Sequence, residues 1–463
     1  MTDIAVAVIG GGISGLSTAY ELHKHGIPYL LFERTNRFGG IINTEQVDGF
    51  TIDSGPDAIL FNKPGAIELC DELKLGDRLI PTLSPRTAFV LRNSQLQALP
   101  AGSILGIPTK FWPLINNRLL SLPGKIQIAT DLTYPMRRSR INNNEDESVA
   151  SFFLRRFGRE MVNYIAEPLL AGIYAGDVNR LSMQALFPRL ANAEQKHGSV
   201  IRSLRELKTA TSPDGPFRSL PGGLEELTTS LINNLSKNSL HCGTEVVRLW
   251  GKGPFNLELN TGQRVSANQV VLSVPAYIAA KLVDSIDADL NELCHSIPYT
   301  STSTIVLGYP RSAISHPLLG TGFVVPRVEK EFSLMAGSWV SSKWPNRAPD
   351  NHVQLRGFIG GARNPKALNK TDTELIETAH HDLAKLLDIS SQPIVKRVYR
   401  WLRLNPQYEV GHLNLMRSID ERLERLPGLY LSGAGFRGIG IPDCVAYGRM
   451  VGTTATKYAL KAS

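Results

Sequence analysis

Residues 5–34 read AVAVIGGGISGLSTAYELHKHGIPYLLFER, and this stretch decides the fold. Residues 4–9 are an uninterrupted apolar run, which is typical of a strand buried on both faces. Gly10, Gly12 and Gly15 follow in G-x-G-x-x-G spacing. In that spacing the first glycine permits a tight turn and the second lets the backbone approach a pyrophosphate. The third lets a helix pack closely on the strand.

The residues after the glycines complete a strand–helix–strand unit. Residues 14–25 predict a helix that ends at Gly26, and its first N–H groups point at a bound phosphate. Residues 29–32 predict a second strand, and Glu33 ends it where an acid binds a ribose hydroxyl. This order predicts a dinucleotide site formed by Gly10, Gly11, Gly12, Ile13, Ser14, Gly15, Glu33 and Arg34.

Two glycine loops follow Glu33 directly. Residues 37–40 read RFGG and residues 49–56 read GFTIDSGP. In this order the loops resemble those of the FAD-dependent amine oxidase and protoporphyrinogen oxidase superfamily, in which they wrap the diphosphate and the flavin. The resemblance implies FAD as the cofactor. A second fingerprint for NAD(P) is missing, because GFRGIG at 435–440 precedes no acid-ended strand, and an oxidase is therefore expected rather than a reductase.

The composition is that of a globular protein with two or three subdomains. The chain has 463 residues, of which 42% are hydrophobic and 20% charged. No run of eighteen apolar residues occurs, which predicts no membrane-spanning helix. The four cysteines are scattered singly, so neither a disulfide framework nor a metal site is expected. We therefore expect a reduced, cytoplasmic protein. The net charge of +8 suits anionic partners, or solubility alone.

The predicted fold class is α/β and α+β. We expect a discontinuous Rossmann-like FAD-binding domain, a mixed-sheet substrate domain and a mainly helical, membrane-associating insertion. The FAD-binding domain is assigned to residues 1–75, 215–279 and 405–463, the substrate domain to 76–98 and 280–404, and the helical insertion to 99–214. Within the substrate domain, residues 371–387 predict an amphipathic helix capped by Asn369 or Thr371.

The first part of the helical insertion is both apolar and basic. Residues 99–115 read LPAGSILGIPTKFWPLI, which is unusual for a solvated face. Residues 101–140 contain six cations and one acid, a net charge of +5. Apolar residues edged by cations favour peripheral contact with an anionic membrane at its cytoplasmic face. The alternative is a helical cap over a substrate tunnel.

Several stretches are similar to the protoporphyrinogen oxidase family in particular, including its bacterial coproporphyrinogen-oxidising members. They are LAGIYAGD at 170–177, FRSLPGGL at 217–224, PQY and GH within 406–412, and GIGIPDC at 438–444. With the opening unit, the resemblance extends over nearly the whole chain.

The resemblance implies substrate contacts for four residues. Arg86 falls where the family places an arginine against a substrate propionate, which a guanidinium fork matches. Gly172 falls where the backbone lies against the tetrapyrrole, so that any side chain at this position would intrude on the substrate. Trp339 falls at an aromatic position that stacks on a substrate ring, commonly phenylalanine in the family, and Val324 takes the facing aliphatic wall. For the flavin it implies contacts from Glu33, Gly39, Gly40, Ile41, Gly55, Pro56, Asp57, Ala58, Val246, Trp401, Ala434, Ile439, Gly440 and Ile441.

The activity implied is the oxygen-dependent, six-electron oxidation of protoporphyrinogen IX to protoporphyrin IX by hydride transfer to FAD, with release of hydrogen peroxide. Coproporphyrinogen III, with four propionates instead of two, is the alternative substrate. The apolar stretch 99–124 and Trp339 favour the first, and the basic stretch 137–140 favours the second. No side chain is assigned as a catalytic acid or base. Expected partners are the tetrapyrrole, molecular oxygen, an anionic membrane, a ferrochelatase-type next enzyme and a second copy in a homodimer, without nucleic acid.

Three rival functions are weighed against this one. A flavin amine oxidase usually needs an aromatic cage beside the flavin, and the loop 438–442 offers none. A carotenoid desaturase needs a long apolar tunnel rather than Arg86. A non-catalytic porphyrin carrier does not need the intact dinucleotide fingerprint.

Overall fold

The computed structural model describes residues 2–133, 146–206 and 214–462. Its strands, in chain order, are β1 Thr2–Ile9, β2 Tyr29–Phe32, β3 Thr44–Val47, β4 Phe50–Asp53, β5 Ile59–Leu60, β6 Ile80–Pro81, β7 Ala88–Arg92, β8 Gln95–Ala98, β9 Ser103–Ile104, β10 Ile107–Pro108, β11 Phe217–Ser219, β12 Leu240–His241, β13 Val246–Trp250, β14 Phe255–Leu259, β15 Arg264–Leu272, β16 Tyr299–Pro310, β17 Gly322–Val324, β18 Ala336–Trp339, β19 His352–Gly360, β20 Val395–Pro406 and β21 Leu429–Leu431.

The helices lie between these strands along the chain, and those within residues 111–206 follow one another without an intervening strand. They are α1 Ile13–Lys24, α2 Pro64–Glu72, α3 Phe111–Asn116, α4 Leu122–Thr133, α5 Val149–Phe157, α6 Arg159–Met161, α7 Gly172–Tyr174, α8 Met183–Leu186, α9 Pro188–His197, α10 Val200–Glu206, α11 Glu225–Asn233, α12 Ala276–Val283, α13 Ala288–His295, α14 Val340–Lys343, α15 Asp372–Leu387, α16 His412–Leu423 and α17 Ile441–Ala462. A π-helix, Val162–Ala171, lies between α6 and α7.

The first sheet collects strands from three separate parts of the chain. Its order is β12-β2-β1-β15-β14-β13, and β21 pairs with the second half of β15. Strands β12, β2, β1, β15 and β21 are parallel. Val6 and Val8 pack toward α1 and α17, whereas Ala7 and Ile9 pack toward α12 and α13, so both faces of β1 are covered as predicted. The carboxyl ends of the parallel strands meet at one edge, where open α/β sheets bind ligands.

Helix α17 returns the C-terminal segment to the start of α1. A Cβ at Gly448 would overlap the carbonyl oxygen of Ser14, so glycine is needed for this close crossing. The hydroxyl of Thr18 donates to the carbonyl of Gly448 at 2.9 Å. The first and last segments of the chain are thereby packed together beside the glycine loop.

The second sheet has the order β20-β16-β19-β18-β17-β7-β8 and is antiparallel except between β17 and β7. Helix α15 covers one face through Leu375, Ala379, Leu383 and Leu387. Of the two predicted caps for this helix, Thr371 is the N-cap. On the opposite face, Val306 packs against Phe50 and Ile52, so this face meets the first segment of the chain.

A third hydrophobic cluster lies in the mainly helical region. It is formed by α4, α5, α9, α10 and the π-helix around the rings of Phe152, Phe153 and Phe157. The basic residues at 137–140 lie outside the described residues. Within the described parts of the chain, none of the helices has the length and apolar character needed to cross a bilayer.

Candidate functional site

The glycine loop forms an open cradle at the carboxyl end of β1. Gly10 has a φ of +106° and donates its N–H to the carbonyl of Phe32 at 2.8 Å. A Cβ at Gly15 would overlap the carbonyl oxygen of Gly10, so only glycine fits where α1 begins. A Cβ at Gly12 would meet no atom within 4 Å, and no side chain caps α1. The cradle therefore offers free space at a helix N-terminus, which suits a diphosphate.

Glu33 holds its carboxylate beside this cradle. Its Oε2 accepts the N–H of Gly11 at 2.8 Å, and its Oε1 accepts the N–H and hydroxyl of Thr35 at 2.8 and 2.7 Å. These bonds orient the carboxylate at the end of β2, the position from which Rossmann-like folds bind a ribose. Ile13 and Ser14 are buried in the first turn of α1, whereas Arg34 is exposed beside Glu33.

The loop that contains Gly39 and Gly40 forms a second wall of the cradle. The N–H of Gly39 donates to the carbonyl of Gly11 at 2.8 Å. A Cβ at Gly40 would lie 3.2 Å from the Cα of Gly12. Arg37 closes the loop on itself by donating to the carbonyl of Ile42 at 3.1 Å. The glycine loop at residues 10–15 and the loop at residues 37–40 are therefore brought face to face.

Three further residues predicted to contact the flavin lie together at the junction of the two sheets. A Cβ at Gly55 would overlap the carbonyl oxygen of Ile41 and lie 3.6 Å from Cζ2 of Trp401. The indole N–H of Trp401 donates to the carbonyl of Ser54 at 3.2 Å. Pro56 and Ala58, which follow Gly55, are both partly buried.

Asp57 serves the same junction in a different way from the one predicted. Its carboxylate accepts from Nζ of Lys343 at 2.9 and 3.0 Å and from the indole N–H of Trp344 at 3.2 Å. The guanidinium of Arg356 lies 3.6 Å from it and donates to the carbonyl of Gly55 at 2.5 Å. These cations pair with the Asp57 carboxylate, which joins the first segment of the chain to α14 and the second sheet, and its predicted contact with the flavin stays a prediction.

Tyr408 and His412 brace the C-terminal loop. The Tyr408 hydroxyl donates to the carbonyl of Ala434 and accepts the N–H of Gly438, both at 2.8 Å. Burial raises the pKa of Tyr408 far above its usual value, so the phenol keeps the proton that it donates. The ring of His412 stacks on Tyr408 at 3.7 Å, and its Nε2 lies 3.1 Å from the carbonyl of Phe436. Because a carbonyl only accepts, Nε2 carries the proton.

These two side chains received no role in the sequence analysis. The motifs PQY and GH contain them, but no sequence periodicity indicates that these side chains hydrogen-bond to a loop some twenty-five residues further along the chain. The loop itself holds Ala434, Ile439 and Gly440, and Ile441 begins α17. Val246, the remaining predicted contact, is buried at the start of β13.

Lys63 and Asp443 form a second anchor for this loop. Nζ of Lys63 donates to both carboxylate oxygens of Asp443, at 2.8 and 2.7 Å. Asp443 stands in the first turn of α17, where a carboxylate is favoured by the helix dipole. The pair ties the start of α2 to the start of α17. In the described parts of the chain, no group of three or more His, Cys, Asp or Glu side chains is placed to hold a metal ion.

The predicted substrate residues Arg86 and Gly172 lie at different points of the substrate region. Nε of Arg86 donates to the carbonyl and the hydroxyl of Thr82 at 3.0 and 2.9 Å, which holds the side chain against its own loop. Gly172 begins α7, and a Cβ there would meet no atom within 4 Å. Gly172 is exposed and lines a narrow surface cleft of about 10 Å³ together with Glu167, Pro168, Ala175, Gly176, Val325, Met335 and Arg363. The contact of Gly172 with the tetrapyrrole therefore stays a prediction.

The prediction that Val324 and Trp339 face one another is wrong. Val324 pairs with Ala336 across β17 and β18, so these two side chains share a face of the sheet. Trp339 is three residues beyond Ala336 and therefore points to the opposite face. Its indole is fully buried there, with ring centroids of Phe89 and His316 at 5.4 and 5.0 Å. The structure thus places Trp339 in the core under α15, where no substrate ring contacts it.

Comparison with known proteins agrees with this arrangement. The model of the flavin-containing amine oxidoreductase family matches residues 13–452. Coproporphyrinogen III oxidase of Bacillus subtilis is 34% identical over 98% of this chain and 98% of its own. Mitochondrial protoporphyrinogen oxidase of Nicotiana tabacum is 28% identical over 96% of this chain and 93% of its own. A crystal structure from Exiguobacterium, provisionally named protoporphyrinogen oxidase, has a TM-score of 0.88 and 30% identity, with 99% of each chain covered.

The cradle fits the cofactor of this family. Space over Gly12, the uncapped start of α1 and the oriented carboxylate of Glu33 suit the diphosphate and ribose of FAD. The loops at Gly39–Gly40, Gly55 and Gly438–Gly440 converge on the same edge of the first sheet. The chain therefore belongs to the flavin-containing amine oxidoreductases and, within them, to the protoporphyrinogen oxidase group, as an FAD-dependent oxidoreductase.

Proposed function

We propose that this protein oxidises a porphyrinogen to the corresponding porphyrin, removing six electrons with oxygen as the final acceptor. The observation that carries the proposal is the FAD cradle in a chain that is 34% identical, over 98% of its length, to coproporphyrinogen III oxidase of Bacillus subtilis. Beside Gly172 lies a narrow surface cleft whose walls are apolar at Pro168, Val325 and Met335 and cationic at Arg363. Apolar walls with a guanidinium at their edge suit one edge of a tetrapyrrole that carries carboxylates.

The chain's own residues bind and orient the substrate in this proposal. FAD supplies the acceptor for two electrons in each of three rounds. Gly172 leaves room for the face of the macrocycle, because no atom lies within 4 Å of the position a Cβ would take. Arg86 and Arg363 are the cations proposed to receive propionates. Tyr408 and His412 keep the loop at 434–438 in one conformation while substrate enters and product leaves.

Of the two substrates that the sequence leaves open, we propose coproporphyrinogen III first. The relatives from Bacillus subtilis, Staphylococcus aureus and Mycobacterium tuberculosis carry the name coproporphyrinogen III oxidase. A substrate with four carboxylates can also pair with arginines at separate points, such as Arg86 and Arg363. Protoporphyrinogen IX is the second candidate, because an exposed apolar surface on the helical region suits an enzyme that meets a less polar substrate at a membrane.

A side-by-side rate measurement tests the proposal. Both porphyrinogens are supplied in air, and the appearance of porphyrin fluorescence is followed under initial-rate conditions. We expect kcat/KM to favour coproporphyrinogen III by about tenfold, which corresponds to roughly 1.4 kcal/mol of transition-state binding. The Gly12→Asp variant, which we expect to lack FAD, measures the non-enzymatic oxidation. A preference for protoporphyrinogen IX reverses the assignment, and turnover of neither at rates above the variant overturns the proposed function.

We further propose that the surface formed by α3 and the start of α4 rests on an anionic membrane. Five large apolar side chains on it are exposed: Phe111 55%, Trp112 71%, Ile115 41%, Leu122 71% and Ile126 60%. Nζ of Lys125 donates to the carbonyl of Ile115 at 2.7 Å, which holds α4 beside α3. Lys110 and Arg118 are exposed at the edge of the surface. Apolar side chains edged by cations match an interface of acyl chains and anionic headgroups.

Vesicle sedimentation tests this surface. We expect the protein to sediment with phosphatidylcholine vesicles that contain phosphatidylserine, less with phosphatidylcholine alone, and less as salt is added. The double variant Trp112→Ser, Leu122→Ser should lose the association. Leu460→Ser is the matched control, because Leu460 is 63% exposed on α17 and lies outside this surface. No association at low salt favours a cap over the substrate cleft and overturns the membrane proposal.

A further inference from the structure

The wall of the substrate cleft is made by an irregular helix. Val162–Ala171 is a π-helix and contains Pro168. Its hydrogen-bonding pattern is wider than that of an α-helix, and such segments are frequent at functional sites. The π-helix ends next to Gly172, and it contributes both Glu167 and Pro168 to the cleft. The departure from regular geometry therefore brings a carboxyl group into the wall of an otherwise apolar and cationic cleft.

Arg327 holds Glu167 in place through one hydrogen bond and one ion pair. Its Oε2 accepts the backbone N–H of Arg327 at 2.8 Å, and its Oε1 lies 3.7 Å from Nε of Arg327. The Glu167 side chain is 16% exposed. Arg363, the cation that lines the cleft with it, donates to the carbonyl of Val325 at 2.7 Å. Of the residues that line the cleft, Glu167 is the acidic one.

The charges around Glu167 act in both directions. Burial raises the pKa of the Glu167 carboxyl, and the charge of Asp177 adds to that effect. The N–H of Arg327 and the charges of Arg363 and Arg327 lower the pKa, but burial outweighs them. A carboxylate with a raised pKa is a stronger base than one in water, and it also stabilises a neighbouring positive charge.

Porphyrinogen oxidation needs a group of this kind, and this inference rests on the proposed function. Each round removes a hydride from a methylene bridge, which leaves a cation delocalised over two pyrrole rings. The conjugated product forms when a pyrrole N–H is lost. We propose that Glu167 is the group that accepts this proton. The N–H bond breaks and leaves its electron pair on nitrogen, and an O–H bond forms at the Glu167 carboxylate. The proton then passes to water at the exposed edge of the cleft. This occurs in two of the three rounds, and in the remaining round the proton is lost from the fourth methylene bridge, so that four bridge hydrogens and two pyrrole N–H hydrogens leave in all.

The Glu167→Gln variant tests the proposal in the FAD-loaded protein. Glutamine has the same shape and still accepts the Arg327 N–H through its carbonyl, so the π-helix is retained. We expect kcat/KM to fall by about 100-fold and the acidic limb of the pH–rate profile to disappear. Two readouts do not depend on turnover. Porphyrin product, titrated by fluorescence quenching, should bind within about twofold of wild type, as expected when a proton acceptor rather than a binding group is changed. A carboxylic-acid C=O band should titrate in the infrared spectrum of the wild type and be missing in the variant.

Asp382→Asn is the matched control. Asp382 is also a buried carboxyl that accepts backbone N–H groups, from Ser333 and Leu334 at 2.7 and 2.9 Å. Burial raises its pKa as well, but it lies on α15 and does not line the cleft. We expect this variant to be less stable and to keep the acidic limb.

Two results overturn the role of Glu167 while the proposed function stands. One is a Glu167→Gln variant with wild-type kcat/KM and pH profile. The other is a variant in which product binding weakens as much as kcat/KM falls, because that indicates a structural or binding role. Failure of the wild type to oxidise either porphyrinogen is distinguishable from both, because it overturns the proposed function itself.

Discussion

At the scale of single residues, the glycines of the opening motif are required for different structural reasons. A side chain at Gly15 is excluded by the protein, since its Cβ would overlap the Gly10 carbonyl oxygen. Gly10 is needed for its backbone, which has a φ of +106°. At Gly12 the protein leaves open space around the missing side chain. Gly12 is therefore glycine for the sake of the ligand, whereas Gly10 and Gly15 are glycine for the sake of the fold.

This distinction predicts that Gly12→Asp gives a folded protein without FAD. The aspartate side chain has room in the empty cradle, but its carboxylate then occupies and repels the position of the diphosphate. The measurement is flavin absorbance of the purified variant, together with its thermal unfolding midpoint. Gly12→Ala, which adds no charge, should keep FAD more weakly, and Gly15→Ala should fail to fold. A yellow Gly12→Asp protein with full flavin content would contradict this account of the motif.

Arg86 gives a second prediction at this scale. Its Nε is held by Thr82, so the side chain is oriented before substrate arrives. We expect Arg86→Ala to raise KM about tenfold or more, since a charge-assisted hydrogen bond to a carboxylate is worth roughly 1.5–3 kcal/mol. Flavin reduction at saturating substrate should change little, because mainly binding is lost. Arg86→Lys, which keeps the charge but not the fork, should fall between. An unchanged KM in Arg86→Ala removes this residue from the site.

At the scale of elements, α15 begins where local sequence predicts a helix start. The Thr371 side chain accepts the N–H of Glu374, and the Glu374 carboxylate accepts the N–H of Thr371 at 2.7 Å, which completes a capping box. This reciprocal pair satisfies two N–H groups that the helix itself leaves unpaired. Asn369, the other predicted cap, lies in the preceding turn.

We therefore expect Thr371→Ala to destabilise the start of α15 by about 1 kcal/mol. Backbone amide hydrogen exchange over residues 372–376 is the measurement, because it reports local opening rather than global unfolding. Thr378→Ala is the control in the same helix. Its hydroxyl donates to the carbonyl of Glu374 within the helix, and its loss should change protection by less than about 0.5 kcal/mol. Equal protection in both variants contradicts the role of the capping box.

The boundaries of helices and strands were predictable where one local sequence signal determines them. They were less predictable where tertiary packing determines them. The capping box, the strand at 29–32 and the glycine loop all follow from neighbouring residues. The stretch after the last glycine loop predicts a helix over about 445–457, but α17 starts at Ile441, and Pro442 in its first turn is a signal for that boundary. The π-helix has no comparable signal, since Pro168 alone does not distinguish it from a kinked α-helix. The face of the sheet on which Trp339 lies depends on the register between β17 and β18, and this register is known only from the folded sheet.

At the scale of the whole molecule, the site is assembled from parts that are far apart in the chain. The resemblance to a family could propose which residues touch the flavin, but not which of them hold the sheets together. Asp57 shows the difference, because it lies two residues after Gly55 in a predicted cofactor loop, and its carboxylate pairs with Lys343 of α14 and Arg356 of the second sheet. The partners are nearly three hundred residues away, and sequence spacing carries no information about such pairs.

This junction gives the last prediction. Burial alone would raise the pKa of Asp57, but the charges of Lys343 and Arg356 and the hydrogen bonds to the carboxylate hold it far below its usual range. The side chains of Asp57 and Lys343 are each 15% exposed, so Asp57→Asn leaves two buried cations unpaired and should cost about 3–5 kcal/mol at neutral pH. A depressed pKa means that this stability is present above about pH 3.9 and is lost as the pH falls toward the folded value. The unfolding midpoints of wild type and variant should therefore differ at pH 7, begin to converge only below about pH 4, and meet only as the pH approaches the much lower folded pKa. Asp289→Asn removes a carboxylate that is 70% exposed and pairs with Arg422 at 2.9 Å, and it should shift the midpoint little at any pH. If Asp57→Asn is no more destabilising than this control, the ion pairs do not join the two sheets, and the apolar contacts of Val306 with Phe50 and Ile52 must do so alone.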